Sequence, residues 1–521
     1  MSVLTSDSPI QVVITEYNAW AIQVKASMDI LRQIKNQFAV YADGYVFMPE
    51  YKSGRWDGKI EFFNTRTGLL SKFFYDDLLR LCRNMGYSYS NTWLKEADKG
   101  ISILQHVESM KLPVALRENQ VVALTAMEQH SKGIILSATG SGKTYIIRVY
   151  AGALLVNGMK RIIIVFPKAS LVTQTKKLFH DVAVPVFQLG GGSTTEIRPA
   201  QQEYIVLGTY QTLRKYEQLL HTAQAVIVDE CHGASSTSQQ YILSHCVNAR
   251  YRWGFTGTLP EDYSKQLLIQ SQLEKVRYTI TSKELADTGI LTPINVIPAI
   301  LDYPNYYRER CAGKRDLQYE QRIISGYHLR DRVIVDFTEK LIKCRGGDFI
   351  LLFRFVDQQE RVYNVLVEAL ARHTNVKVHF VNGAIKVKER DAIFKNINTS
   401  DEVQKHILVG TFETLSTGLD IPSISTMMFC TSYKSSVTVL QSVGRAMRLY
   451  EGKDESVIVD IIDNLAIHVH NEYTGSSYNY QGYAMKHGKH RMKTYRDNGF
   501  GVSEPVVINM VEFAEKHGLK V

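Results

Sequence analysis

The chain has 521 residues, 45% of them hydrophobic and 22% charged, with a formal net charge of +9. That length exceeds one hydrophobic core and implies roughly three or four domains at about 150 residues each, the composition is that of a globular protein, and no apolar run approaches the ~20 residues of a membrane-spanning helix. The positive balance favours an anionic partner, nucleic acid being the usual one. Six scattered cysteines (Cys82, Cys231, Cys246, Cys311, Cys344, Cys430) lack metal-ligand spacing. They predict neither a zinc site nor a disulfide framework and suit a reducing cytosol. The first residues, Met1 to Asp7, lack the basic and apolar regions of a signal peptide.

Residues 1–98 read as a small α+β domain. Asp57-Gly58 between strand-like runs is a hairpin signal, and Asp76 to Cys82 reads as a short amphipathic helix. Lys52, Arg55, Lys59, Arg66 and Lys72 are interleaved with aromatic residues. That pattern suits a surface engaging duplex or forked nucleic acid, with Arg55 and Lys59 as candidate contacts.

Residues 99–285 alternate apolar runs with helical patterns, the rhythm of a parallel sheet covered on both faces. Gln120, close behind Arg117, carries an amide that can both donate to and accept from an adenine edge. The run Ile134-Ile135-Leu136 leads into Ser137-Ala138-Thr139-Gly140-Ser141-Gly142-Lys143-Thr144 and then a helix pattern. Strand, glycine-rich turn and Lys-Thr form a phosphate cradle. Thr139, Gly140, Ser141 and Gly142 supply the loop, Lys143 neutralises the β/γ-phosphates, and Thr144 places a hydroxyl on Mg²⁺. Ser137 stands where glycine or alanine is usual.

Asp229-Glu230-Cys231-His232 follows the apolar run Ala225 to Val228. An isolated acidic pair is more often an ordinary turn. After a phosphate loop and a strand, Asp229 is a candidate to hold Mg²⁺ through water and Glu230 to activate the attacking water. Thr256-Gly257-Thr258 is either a link to a second domain or a simple turn at a strand end.

Residues 286–450 repeat the α/β rhythm. Thr411 and the run Thr417-Gly418-Leu419-Asp420 flank a short loop, with Gly418 and Asp420 as candidate nucleotide contacts. Gln441, Gly444, Arg445 and Arg448 then recur in one spacing. Guanidinium groups there suit the γ-phosphate as its charge shifts during hydrolysis. Residues 451–521 form a small basic, mainly helical region that opens with a strand candidate, Val457 to Asp460. Its run His487, His490, Arg491, Lys493 is either a further nucleic-acid contact or a solvated helix face.

The array as a whole resembles the superfamily-two helicases and translocases. Lys143-Thr144 matches their first motif, Asp229-Glu230-Cys231-His232 the second, and Gln441 to Arg448 the pattern Gln-x-x-Gly-Arg-x-x-Arg. The resemblance covers roughly Leu104 to Tyr450. It implies an α/β protein of two tandem RecA-like domains that close on ATP and Mg²⁺. It also places the nucleic-acid strand along Lys168, Ser170, Thr209 and Gln211 of the first domain and Gly383 and Thr411 of the second, by contacts to phosphates and sugars that do not read sequence.

Outside these motifs, Asp43-Gly44-Tyr45-x-Phe47, Trp56-Asp57-Gly58-Lys59, Gly190-Gly191-Gly192, Lys434-Ser435 and Lys486-His487-Gly488 with Arg491 and Tyr495 resemble the recombination helicases of bacteriophages. That resemblance implies a monomeric, DNA-dependent ATPase of the host cytoplasm acting on single-stranded and branched DNA: Holliday junctions, stalled forks, D-loops and the RNA–DNA hybrids of R-loops. The alternatives are a restriction-enzyme-type duplex translocase, an RNA helicase and an ATP-gated strand-annealing protein.

Overall fold

The computed structural model describes residues 9–93, 98–110, 112–190, 193–194, 202–385, 387–400, 404–415, 421–470 and 476–520. The chain divides into two compact units. One comprises Met1–Ser137 and Ser141–Ile280, the other Ala138–Gly140 and Thr281–Val521.

The first unit opens with a five-stranded sheet in the order Phe63–Asn64, Leu69–Ser71, Ala21–Lys25, Val12–Glu16, Tyr89–Asn91. Alternation does the work there: Val12 and Ile14 are buried and their neighbours are less so, as expected for a sheet with one covered face. The cover is helical. Met28–Gln37 buries Ile30, Leu31 and Ile34, and Tyr75–Met85 buries Tyr75, Leu78 and Cys82, a three-then-four spacing that puts all three on one stripe. The second of these is the amphipathic helix expected from Asp76 to Cys82. The Asp57-Gly58 hairpin is corrected. Lys59–Glu61 does pair antiparallel, but with Ala39–Tyr41, and the connection holds a 3₁₀ turn, Tyr45–Phe47, and a short helix, Pro49–Lys52. Pro49 at the head of that helix, and Gly54 in the left-handed region at φ +70°, favour a helical excursion over a two-residue turn.

The same unit carries an eight-stranded sheet among the described residues. Across it run Ser193–Thr194, Val186–Gly190, Tyr204–Thr209, Arg161–Phe166, Ala225–Asp229, Tyr251–Thr256, Lys132–Ser137 and Val276–Ile280. Every neighbouring pair is parallel except the first. Every residue of Ala225–Asp229 is buried, as is every residue of Tyr204–Thr209. This is why those strands read as continuous apolar runs instead of alternating ones. The helix Lys143–Val156 buries Ile146, Ile147, Val149, Tyr150, Ala151, Ala153 and Leu154, each large aliphatic member worth about 1.5–3 kcal/mol of burial.

The second unit has a wholly parallel sheet in the order Val376–Val381, Lys405–Thr411, Asp348–Phe353, Ile424–Phe429, Ser456–Asn464, Ile294–Asp302, with Gly501–Val502 and Val506–Asn509 along its edge. The strand candidate Val457 to Asp460 is therefore an interior member of this sheet. It is nine residues long and buried over all but the last. The helix Tyr483–Asp497 lies on it, and Gly488 permits the close approach: a Cβ there would meet Ile462 Cγ2 at 2.5 Å. The architecture is α/β, two tandem RecA-like parallel-sheet domains with a small α+β region in front. In such sheets, ligands collect beyond the carboxyl ends of the strands.

Candidate nucleotide site and nucleic-acid interface

The carboxyl end of Lys132–Ser137 opens into the phosphate loop. Gly140 and Gly142 lie at φ +89° and +88°, which side-chain-bearing residues adopt only at a cost. Successive residues of this kind turn backbone N–H groups into a concavity that suits an anion. Gly142 is the N-cap of Lys143–Val156, and no side chain caps that helix. Its first N–H groups and positive dipole end thus face the loop. Lys143 Nζ donates to Ser137 O at 2.9 Å and so arches back over the loop. The Ser137 hydroxyl, at the position where glycine or alanine is usual, donates to Ser141 Oγ at 2.6 Å and ties the two ends of the turn together.

Gln120 is buried and braces this loop. Its Oε1 accepts from Arg117 N at 3.0 Å, and its Nε2 reaches Ser141 O and Gly142 O at 3.5 and 3.4 Å. Asn119 Nδ2 adds a bond to Ser141 O at 3.1 Å, a contact the sequence did not announce. Arg117 itself is exposed at the N-cap of Glu118–Gln129.

At the carboxyl end of Ala225–Asp229, Asp229 is buried and Glu230 half-buried. Glu230 sits in the left-handed region at φ +51°, ψ +51°, a conformation that costs a non-glycine residue about 1–3 kcal/mol. Its Oε2 lies 3.2 Å from His232 Nδ1 and 3.4 Å from the Thr256 hydroxyl, and His232 Nδ1 is 3.0 Å from that hydroxyl. Thr256 also donates to Thr258 O at 2.9 Å. Burial, then the neighbouring charge of Glu230, pushes the Asp229 carboxyl above the ordinary carboxylate range. Burial also acts to raise Glu230, but the hydrogen bond from His232 and the charge of Lys143 outweigh it and hold that carboxyl low. Two adjacent acids are thus driven apart, the arrangement that lets one group stay ionised as a base. A buried carboxylate beside a second acid and below a phosphate loop also fits a divalent cation. Asp229 and Thr144 are the residues that would hold Mg²⁺, whose charge would offset that of the phosphates. His232 and Thr256 were legible only as letters of their motifs; their joint hold on Glu230 depends on two strand ends meeting.

In the second unit, Ser436–Ala446 carries Gln441 and Arg445, whose side chains lie outside the described residues, as do Gly418 and Asp420. The end of this helix is staked from three sides. Ser456 Oγ donates to Ala446 O at 2.6 Å, Thr292 N to Met447 O at 2.7 Å, and Thr292 Oγ1 and Lys453 Nζ to Arg448 O at 3.1 and 2.8 Å. Arg448 is thereby fixed in its backbone, and burial lowers its guanidinium pKa. None of these three stakes had a sequence signal, because each is remote from the helix or lies beyond its end.

The nucleic-acid candidates fall into three groups. Lys168, Ser170, Gln211, Gly383 and Arg55 are exposed, and Lys59 is half-buried with its ammonium 5.2 Å from the centre of the Tyr41 ring. Thr209 and Thr411 are buried, and each hydroxyl lies against that of the threonine three residues on, at 3.0 and 2.8 Å, at the head of a short helix. Arg491 is corrected. It is 1% exposed, its Nε and Nη2 grip Asp460 at 2.8 and 2.6 Å, its Nη1 donates to Tyr433 O at 2.9 Å, and Tyr495 donates to the same Asp460 carboxylate. A guanidinium spent on a buried carboxylate is a core residue, not a surface contact.

Comparison with known proteins adds to this geometry. Residues 9–91 match the family described as "DNA helicase UvsW, N-terminal", residues 107–261 that described as "Type III restriction enzyme, res subunit", and residues 334–450 the "Helicase conserved C-terminal domain". Fold and matches define the class: the chain is an ATP-dependent helicase. Within that class it is similar to the ATP-dependent DNA helicase uvsW of Enterobacteria phage T4, at 24% identity over 496 residues, spanning 92% of this chain and 96% of that one. The crystal structure of T4 UvsW covers 96% of this chain and is covered in full, at 21% identity and a TM-score of 0.44. The DNA-bound Type ISP restriction-modification enzyme LlaBIII covers 78% of this chain with a third of its own length (33%), at 16% identity and a TM-score of 0.56, a likeness of fold. No helix among the described residues is long and apolar enough to cross a membrane.

Proposed function

We propose that this helicase is a monomeric motor of the cytoplasm that couples ATP hydrolysis to the remodelling of branched DNA: four-way junctions, regressed forks, D-loops and R-loops. The observation that carries the ATPase part is Glu230, a strained, half-buried glutamate held low in pKa by His232 and Lys143 at the strand end that follows the phosphate loop. Gln120, Arg117 and the loop from Thr139 to Lys143 bind the nucleotide. Thr144 and Asp229 hold Mg²⁺, and Glu230 orients and deprotonates the attacking water. Arg445 and Arg448 are the candidates to meet the shifting charge of the γ-phosphate, and Gln441, Gly418 and Asp420 are further candidate nucleotide contacts. The choice of DNA is supported by the end-to-end similarity to the T4 DNA helicase, which includes the N-terminal region, and that of branched substrates by the resemblance of Asp43 to Lys59 and of the Lys486–Tyr495 tail to the recombination helicases of bacteriophages. Lys168, Ser170 and Gln211 of the first unit and Gly383 of the second are the candidate strand contacts, while Thr209 and Thr411 hold the loops of their own units. Arg55 and Lys59 engage the duplex arm.

The test is Lys143→Ala, which is expected to abolish DNA-stimulated ATP hydrolysis and conversion of a four-way junction while leaving the circular dichroism spectrum unchanged. Turnover retained at the parent rate would refute the assignment. A second reading, duplex translocation without strand separation, is favoured by the match of residues 107–261 to restriction-enzyme subunits. It predicts displacement of a third strand from a triplex with no unwinding of a fork.

A further inference from the structure

Away from the phosphate loop, three side chains of the first unit point their donor atoms at one spot. Glu217 and His221 stand four residues apart on the helix Glu217–Thr222, and His245 is the last residue of Thr237–His245. One ligand atom from each of the three lies within 4.8 Å of the other two. Glu217 Oε1 is 3.6 Å from His221 Nε2 and 3.9 Å from His245 Nε2. Ligands about 2.0–2.2 Å from a tetrahedral ion are roughly 3.4 Å apart, so the observed triangle is a small rotamer adjustment away from a coordination face.

The atoms behind these donors are arranged as a supporting shell. His245 Nδ1 lies 2.7 Å from Tyr241 O, and a carbonyl oxygen can only accept, so Nδ1 carries a proton. In the neutral imidazole, the lone pair is then on Nε2, facing the carboxylate. A cation or an added proton between these two electron-rich atoms, 3.9 Å apart, would turn their repulsion into attraction. Tyr241 stacks on the His245 ring at 3.8 Å between centroids, and its hydroxyl donates to Glu217 Oε2 at 3.4 Å. That leaves Oε1 for the two imidazoles. The rings of His221 and His245 are parallel within 2°. Orientation of ligands through their remote atoms is the usual mark of a metal site.

We propose that Glu217, His221 and His245 bind one divalent transition-metal ion. Two imidazoles and one carboxylate are a borderline-soft set that selects zinc, cobalt or nickel over magnesium or calcium. The fourth position faces solvent, since Glu217 is exposed and the two histidines are only half-buried. The ion staples two helices. Ser244, beside His245, accepts from Trp20 Nε1 through its carbonyl at 3.1 Å, so the staple steadies the seat of the N-terminal region. The cysteine spacing that argued against zinc does not bear on this site, which uses no thiol.

The test uses the full chain, stripped with a chelator and titrated at pH 7.5 with Co²⁺ or Zn²⁺ alone. The expected result is one Co²⁺ per chain with visible bands of tetrahedral intensity and no thiolate charge-transfer band in the near ultraviolet. A melting temperature that rises with Zn²⁺ is also expected. His221→Gln and Glu217→Gln should each weaken binding at least tenfold and remove the Zn²⁺ effect on melting, with far-ultraviolet spectra unchanged. Asp229→Asn should leave the cobalt bands intact, because Asp229 belongs to the phosphate-loop site. No stoichiometric binding at micromolar metal, or bands that persist in both His221→Gln and Glu217→Gln, would overturn the proposal; the contacts would then be an ion pair between Glu217 and protonated histidines.

Discussion

The two parallel sheets bury their carboxylates in opposite ways. In the second unit three buried acids are locked by guanidiniums, Asp463 by Arg330 at 2.7 and 3.1 Å, Asp460 by Arg491 and Asp331 by Arg361 at 2.9 Å, while Glu320 and Asp348 are held by backbone N–H groups and hydroxyls. Tyrosine hydroxyls from Tyr303 and Tyr495 complete the first two. In the first unit, Asp229 and Glu230 answer to Lys143, His232 and Thr256, and Glu230 is held in a costly backbone conformation. Buried charge with saturated, bidentate partners specifies a core. Buried charge left to a lysine, an imidazole and a hydroxyl, on a strained backbone beyond a strand end, marks chemistry.

That contrast is broken most forcefully at Glu230. Glu230→Gln keeps shape and removes the base, so DNA-stimulated turnover should fall about 10²–10⁴-fold with little change in melting temperature, measured by phosphate release and thermal unfolding. The mirror experiment is Arg491→Ala, which leaves Asp460 buried without its guanidinium. The expected cost is about 3–5 kcal/mol of stability in denaturant unfolding. If Arg491→Ala instead weakened DNA binding at unchanged stability, the arginine would be a surface contact and the contrast between the sheets would fail.

Legibility in the sequence followed the range of the interactions. The apolar run Ile134 to Leu136, the loop Ser137 to Thr144 and the box Asp229 to His232 are local, and each landed on the element expected of it. The fate of Arg491 was not local. Its partner Asp460 is 31 residues away on another element, and a basic run in a linear sequence looks the same whether its cations meet solvent or a buried acid. The same holds for Thr292 and Lys453 at the end of the arginine-bearing helix. Asp57-Gly58 misled for a different reason. Gly58 does take a left-handed φ of +83° just ahead of Lys59–Glu61, but the strand that pairs with it lies before an intervening helix.

A finer test sits at Asp229. Burial, then Glu230, raises its pKa in the folded chain. Such a group takes up a proton on folding, so the folded state is penalised as pH rises from the ordinary carboxylate range, and the penalty is complete above the raised value. Asn removes the charge at no loss of volume. In nucleotide-free protein, Asp229→Asn should therefore melt higher than the parent at pH 8, with the difference shrinking as pH falls toward about 4. Asp460→Asn, by contrast, breaks a buried ion pair with Arg491 and should melt lower than its parent at pH 8.

The smallest effect is expected where charge is solvated. Lys59 rests its ammonium over Tyr41 in the N-terminal region, and its loss removes no buried partner. Lys59→Ala should change stability within about 0.5 kcal/mol. If Lys59 meets a phosphate, the variant should bind a forked duplex several-fold more weakly and lower the slope of log affinity against log salt by about 1, with turnover at saturating DNA unchanged. Binding measured across a salt series separates this from packing, because loss of a packing contact lowers affinity by the same factor at every salt. A parallel downward shift with no change of slope would place Lys59 among the structural cations, with Arg491 and Arg330.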